Sequence, residues 1–331
     1  MTAQRASVKD VALRAGVSVG TVSNVLNRPD AVTEKTREKV EQAMAELNFH
    51  RNASARQLRA GVSRTVGVIV MDVGNPYYTE LARGVEDRLA TDDHTLILCS
   101  SDDDPRREER FLRLFAEQGV RGVLVTPMTS TGERLGDLRR LGIPAVLMDS
   151  SSPHQPSVGV DHVSGGRQAI GHLIAQGHRR ILFLAGPPDL QQTRHRLRGA
   201  IQAVQSAGLD PAEVLDVVHL PTLTANEGQR GLIEAIEGDR PVPTAVFAIN
   251  DIVALGAMRE LRVRGLSIPD DMAVVGYDDL YFAAELMMPL SSVRQPMRQL
   301  GWAAADLLLT EQPHALFEPE LVVRASSSHH R

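Results

Sequence analysis

From Thr65 to Asp278 the chain alternates short, β-branched apolar runs with amphipathic helical stretches. The runs are "TVGVIVM", "HTLILCS", "GVLVTP", "PAVLMD", "SVGVD", "RILFLA", "VLDVVHL", "TAVFAI" and "MAVVGYD". Strands separated by helix-length connections pair in parallel, and a parallel sheet must be covered by helices on both faces. The alternation therefore predicts an α/β body. Nine strands are many for one sheet at this spacing, and the polar, Pro-rich "SSSPHQPSVGVDHVSGG" interrupts them near the middle. Two doubly wound sheets in two lobes are predicted. Ligands of such sheets sit beyond the carboxyl ends of the strands. That rule singles out residues 72–78, Asp149, Asp161, Asn250, Asp251 and Asp278.

The first 64 residues follow a different pattern. Ser7 and Asp10 are spaced as a capping box, and Val8, Val11, Ala12 and Ala15 then line one face of a short helix that Gly16 can end. Within "AGVSVGTVSNVLN" the residues Gly16 to Gly20 spell GxSxG, the spacing of a hydrolase nucleophile elbow. An elbow needs a strand before its serine, whereas a helix precedes Ser18. Ser18 is expected instead to cap a second helix, Val19 to Asn27, with Val22, Val25 and Leu26 facing inward. Two short helices joined by a turn containing Gly make a helix-turn-helix. A third helix, capped by Thr33, turns Val40, Ala43, Met44 and Leu47 toward the same small core.

Charge divides the chain in the same place. Residues 1–64 hold 11 Lys and Arg against 6 Asp and Glu, which leaves the remainder at −10 within a total of −5. A basic module on an acidic body suits phosphate neutralisation, although a solvated basic face would look the same by charge alone. In 331 residues there is no run of 18 apolar positions and no charged-then-apolar leader. A cytoplasmic protein without a membrane span is expected. The single cysteine, Cys99, ends an apolar run and reads as a small buried hydrophobe. No glycine-rich dinucleotide fingerprint follows the first strand and no phosphate-binding P-loop occurs, so no cofactor is expected. His162, His172 and His178 lack the i, i+4 spacing of a zinc pair, and no metal site is expected. The His329-His330 tail is too short to be assigned a structure.

Taken in order, "VKDVALRAGVSVGTVSNVLN", "VTEKTREKVEQAMAELNF" and "NASARQLR" resemble the headpiece and hinge of the lactose-repressor and purine-repressor family of transcriptional regulators. "GNPYYTELARGVED", "GHRRILFLAGP", "RLRGA", "PTAVFAINDIVALGAM", "IPDDMAVVGYDD" and "LSSVRQP" resemble that family's effector domain, which is related to periplasmic sugar-binding proteins. Each motif alone is weak; all of them in order are specific.

The resemblance implies an all-α helix-turn-helix headpiece (1–50), a hinge helix and linker (51–64), and a two-lobed effector and dimerisation domain (65–331). Its first lobe would comprise about 65–161 plus 294–319, and its second about 162–293 plus 320–331. It implies a homodimer on palindromic double-stranded DNA, with Val19, Gly20 and Asn24 toward base edges and Ser18, Thr21 and Ser23 near phosphates. Asn24 can pair with adenine and Val19 can touch a thymine methyl; Gly20 reads nothing by itself. In the hinge, Asn52, Ala55, Leu58 and Arg59 are implicated. Leu58 would enter the minor groove as a wedge, the alternative being a leucine packed on the lobe. The sequence departs from the family where a proline usually precedes "NASAR": it has Arg51.

For the effector site the resemblance implies Tyr77, Tyr78, Asp149, Arg196, Asn250 and Asp278, with Asp161 and Gln295 as weaker matches that also suit interlobe contacts. Tyr77 and Tyr78 fit either a sugar-stacking face or the core. A fork donor with carboxylates suits vicinal hydroxyls. Leu223 stands where some relatives place an aromatic, and Leu190 and Gln192 stand where the purine repressor has polar ligand contacts, so purines are disfavoured. The expectation is a repressor controlled by a small sugar or polyol. Control by a partner protein docking on the body is the alternative, and an enzyme is the weakest, since it would need an activated nucleophile or a metal set. After "FEPELVVRA" only six residues remain, too few for a tetramerising heptad tail, so a dimer is the expected oligomer.

Overall fold

Ser7 starts the first helix as a capping box. Its Oγ accepts from the Asp10 N–H at 3.4 Å, and Asp10 Oδ2 accepts from the Ser7 N–H at 2.7 Å. The computed structural model describes residues 6–49, 63–127, 131–152, 154–310 and 315–328, which divide into an N-terminal unit, Met1–Ser63, and a body, Arg64–Arg331. In the N-terminal unit α1 (Val8–Ala15) ends at Gly16 with φ 66°, and α2 (Val19–Asn27) begins after Ser18, whose Oγ accepts from the Thr21 N–H at 3.0 Å. Ser18 is thus a helix cap with a helix before it, and the nucleophile elbow is excluded. Thr33 stands at the start of α3 (Glu34–Glu46), but its hydroxyl pairs with Thr36 Oγ1 at 2.9 Å and leaves the helix N–H groups uncapped. Val11, Val22 and Val40 are completely buried between these helices. Leu26, Met44 and Leu47 pack against the same core.

In the body every one of the apolar runs becomes a strand. The first lobe holds β1 (Thr65–Val70), β2 (Thr95–Ser100), β3 (Gly122–Val125), β4 (Ala145–Met148) and β5 (Ser157–Val160). The second holds β6 (Ile181–Ala185), β7 (Leu215–His219), β8 (Ala245–Ala248) and β9 (Ala273–Asp278). Three further strands, β10 (Ser291–Arg294), β11 (Ala315–Phe317) and β12 (Glu320–Val322), have no counterpart in the sequence pattern. They span only three or four residues and two of them carry charge, so no period emerges.

The two six-stranded sheets run β11-β5-β4-β3-β1-β2 and β12-β10-β9-β8-β6-β7. All neighbours are parallel except β12, which pairs antiparallel with β10. The chain crosses between lobes after β5, after β10 and between β11 and β12. Connecting helices are α4 (Pro76–Ala90), α5 (Pro105–Gln118), α6 (Thr131–Arg140), α7 (His162–Ala175), α8 (Gln191–Ser206), α9 (Pro211–Val214), α10 (Ala225–Glu237), α11 (Asp251–Val263) and α12 (Met297–Thr310). Among the described residues no helix is long and apolar enough to cross a membrane.

The crossing of α7 and α8 fixes where two polar side chains meet. A Cβ on Gly199 of α8 would overlap the Val163 carbonyl of α7, and one on Gly166 of α7 would overlap the Arg196 carbonyl of α8. The two backbones therefore touch, which brings His162 and Arg196 together. Gly199→Val should cost about 2–3 kcal/mol through overpacking. Thermal unfolding of the body should then begin roughly 5–10 °C lower. An unchanged melting temperature would mean that the helices can separate at no cost.

Candidate functional site

Two surfaces carry the residues singled out by sequence. On the headpiece, Val19, Gly20 and Asn24 are exposed on one side of α2. A Cβ on Gly20 would meet only Ser18 Oγ, at 3.6 Å, so this face has space for a larger group. Thr21 Oγ1 lies 2.9 Å from Ser18 Oγ, and the Ser23 carbonyl accepts from Asn27 Nδ2 at 2.9 Å. Asn52, Ala55, Leu58 and Arg59 lie outside the described residues.

The second surface is a narrow cleft between the lobes of the body, with a cavity volume of about 30 Å³. The first lobe contributes Met71, Asn75, Tyr77, Tyr78 and Asp149. From the second come Arg196, Asn250 and Asp278, together with Gln192, Thr193 and an aliphatic wall of Leu190, Leu223 and Ile249, while Gln295 stands at the crossover just after β10. Asp161 is not among the lining residues. Its carboxylate accepts from the N–H groups of Val163 and Ser164 at 3.0 and 2.9 Å and caps α7. Local geometry aims the others. Asp149 and Asp278 end β4 and β9 with φ of 51° and 104°, positive values that cost a non-glycine residue about 1–3 kcal/mol. Asn250 spends Oδ1 on the Val253 N–H at 2.8 Å as the cap of α11, which leaves its amide N–H groups for the cleft.

A buried polar network joins the lobes behind this lining. His162 Nε2 lies 3.1 Å from Asp149 Oδ1, and its Nδ1 lies 3.2 Å from Tyr277 Oη. Burial, aided by the neighbouring Arg196 charge, pushes the imidazole below its ordinary value. A neutral ring must then donate through Nε2 and accept through Nδ1. Burial alone would raise Asp149, yet His162, the Arg196 charge and Gln192 together hold it below the usual carboxylate range. Gln192 Nε2 donates to Asp149 Oδ2 at 3.1 Å. Beside it, Gln191 grips the Ser151 backbone twice, accepting from its N–H and donating to its carbonyl at 3.0 Å each. Arg196 lies 3.5 Å above the Tyr277 ring and donates to the Ile249 carbonyl. Burial pushes Asp278 up to about 7 against the opposing pull of the Arg196 charge.

Four buried atoms in this lining have no hydrogen-bond partner: Tyr77 Oη, Thr193 Oγ1, Arg196 Nε and Gln295 Oε1. Each such group costs about 1–3 kcal/mol when left unpaired, so their convergence on one cleft marks a place prepared for a polar molecule. Thr193 was not singled out by sequence, although it sits one turn before Arg196 on the same face of α8. His162, whose spacing in the sequence raised only the question of a metal ligand, belongs to the network. No group of His, Cys, Asp or Glu among the described residues is arranged to hold a metal ion.

Residues 7–52 match the family of bacterial regulatory proteins described as lacI, and residues 170–327 match the periplasmic binding protein-like domain. The HTH-type transcriptional repressor PurR of Aliivibrio fischeri (strain MJ11) is 34% identical, the alignment covering 97% of this chain and 98% of that protein. The crystal structure of the lac repressor dimer bound to operator and the anti-inducer ONPF superimposes with a TM-score of 0.85 at 28% identity, over 98% of this chain and 100% of that one. A LacI family transcriptional regulator from Enterococcus faecium with bound ribose gives a TM-score of 0.72 at 27% identity, over 80% and 98%. With a helix-turn-helix headpiece, a two-lobed α/β effector body and relatives that match over almost its full length, this chain belongs to the lacI family of bacterial regulatory proteins and is a DNA-binding transcriptional regulator rather than an enzyme.

Proposed function

We propose that the protein is a cytoplasmic repressor whose operator affinity is set by a small sugar or polyol bound between the lobes. The observation that carries this reading is the set of four unpartnered buried atoms beside an apolar wall. Arg196 Nε can only donate, Gln295 Oε1 can only accept, and the hydroxyls of Tyr77 and Thr193 can do either. A ring of vicinal hydroxyls matches such a mixture, because each hydroxyl both gives and takes a hydrogen bond, while its C–H face suits Tyr77, Leu190, Leu223 and Ile249. Asp149, Asn250 and Asp278 complete the ring of contacts. The structural relative that holds ribose supports the same class of ligand.

In this reading residues 1–50 form the headpiece, and two copies of the chain place their α2 helices in successive major grooves of a palindrome. Ser18, Thr21 and Ser23 hold phosphates while Val19 and Asn24 touch bases; Asn52, Ala55, Leu58 and Arg59 of the hinge segment bind across the centre. Asp149 with Tyr77, and Arg196 with Asp278, belong to opposite lobes, so a ligand that touches both sets favours one interlobe angle. That preference reaches DNA only to the extent that the two angles differ in operator affinity.

The test is saturable stabilisation. A sugar present at 100 times its dissociation constant should stabilise the body by about 2.7 kcal/mol, visible as a rise in melting temperature. If no pentose, hexose or polyol raises it while a protein partner alters operator binding, control lies with that partner instead.

A further inference from the structure

Gln191 ties the two lobes together at a point outside the cleft. It is the first residue of α8 in the second lobe, and its amide pairs with the chain just after β4 in the first. Oε1 accepts from the Ser151 N–H at 3.0 Å and from Ser150 Oγ at 3.2 Å, while Nε2 donates to the Ser151 carbonyl at 3.0 Å. An amide bound to both the N–H and the C=O of one residue repeats the exchange made by a hydrogen-bonded pair on antiparallel strands, so it fixes the separation and the orientation of the lobes here. Neither Gln191 nor Ser151 lines the cleft, to which α8 contributes Gln192, Thr193 and Arg196.

With this clasp made, the cavity between the lobes is about 30 Å³. That is room for about two or three water molecules, against roughly ten heavy atoms in a pentose. A sugar ring enters when the lobes part. Two other bonds across this edge end on Asp149: His162 Nε2 lies 3.1 Å from Oδ1, and Gln192 Nε2 donates to Oδ2 at 3.1 Å. Asp149 lines the cleft, so the hydroxyls of an effector can take those bonds over. The Gln191 clasp ends on backbone that the cleft does not reach, and a ligand replaces none of it. Resting on the sugar reading of the cleft, we propose that Gln191 is a positioning residue that holds the body in a form too narrow for its effector, and that the effector binds by undoing this clasp.

Apparent affinity is the intrinsic affinity multiplied by the fraction of molecules in the open form. Removing the clasp raises that fraction, so a substitution outside the site should tighten binding. Ser151 is exposed, and its N–H and C=O find water once released, which keeps the effect moderate. Gln191→Met keeps the helix propensity and the length of the side chain without the amide. It should bind the effector about three- to thirtyfold more tightly than the wild type. Its operator affinity without sugar should shift in the direction in which sugar shifts the wild type.

D-Ribose, D-xylose, D-glucose and D-galactose are the probes, screened by thermal shift against the full-length wild type and Gln191→Met. A sugar that stabilises either protein is titrated into both by calorimetry. Hydrogen exchange at the Ser151 amide is then followed in the wild type with and without that sugar. Ligands ordinarily slow exchange around their sites. Saturation should here speed it at Ser151, whose N–H is released from Gln191. This arm needs no variant, and it decides the matter by itself where Gln191→Met fails to fold. Equal or weaker binding by a folded Gln191→Met overturns the inference. So does a Ser151 amide that is as protected in the saturated wild type as in the protein without sugar. In both cases a sugar has bound, and the sugar reading of the cleft stands. If no sugar stabilises either protein, the sugar reading fails and this inference falls with it.

Discussion

Arg196→Lys is expected to leave ligand-free operator binding within about threefold of the wild type and to weaken the effector response at least tenfold. Besides donating to the Ile249 carbonyl, the guanidinium does three things at once. It places charge between Asp149 and Asp278, stacks on Tyr277 and offers Nε to the cleft. Lysine preserves only the first. The lost charge-assisted contact is worth about 1.5–3 kcal/mol, which gives the tenfold figure or more. Arg196→Ala should lose the same response but also melt at lower temperature, because removing one member of a buried charge cluster costs about 3–5 kcal/mol. The check is operator binding titrated with effector for both variants. Unchanged dose dependence in Arg196→Lys would mean that this arginine supports the body without touching the ligand.

Removal of residues 1–60 should lower specific operator affinity by at least about 10³-fold, to or below the level of non-specific binding. It should leave the melting temperature and ligand affinity of the body almost unchanged. The expectation rests on two separate cores. The headpiece buries Val11, Val22 and Val40 against one another, whereas the body is built around its own two sheets. Electrophoretic mobility shift at fixed salt, with thermal unfolding of the truncated chain, checks both halves. Full affinity in the truncated protein would place the DNA contacts on the body.

Local chemistry in this chain was readable because it is written in neighbouring residues. Ser7 with Asp10, Gly16 and Ser18 state where α1 and α2 start and stop, and no distant contact overrides them. Strands β1 to β9 were readable because each is an apolar run, and all of them except the edge strands β2 and β7 are buried along most of their length. Strands β10, β11 and β12 were not, since Ser291, Ser292 and Glu320 enter sheets through pairing partners supplied by the fold. The cleft divides along the same line. Asp149, Asn250 and Asp278 stand at strand ends, where the parallel-sheet rule directs attention. The same rule also pointed to Asp161, whose carboxylate caps the next helix. His162, Gln191 and Thr193 acquire their roles only when the glycines at the α7–α8 crossing bring two helices into backbone contact. Neither periodicity nor motif records that approach, and the unpartnered atoms it leaves are a property of the folded cleft.

Occupancy of the cleft should change DNA affinity. The most direct test selects the operator from random DNA with the purified protein, then measures its affinity at one fixed salt concentration with the cleft empty and with it saturated by the sugar that stabilises the body. Coupling of about 1–3 kcal/mol predicts a shift of roughly 5- to 150-fold between the two titrations, in either direction. Equal operator affinity with the cleft empty and full would contradict control of DNA binding by a ligand between the lobes.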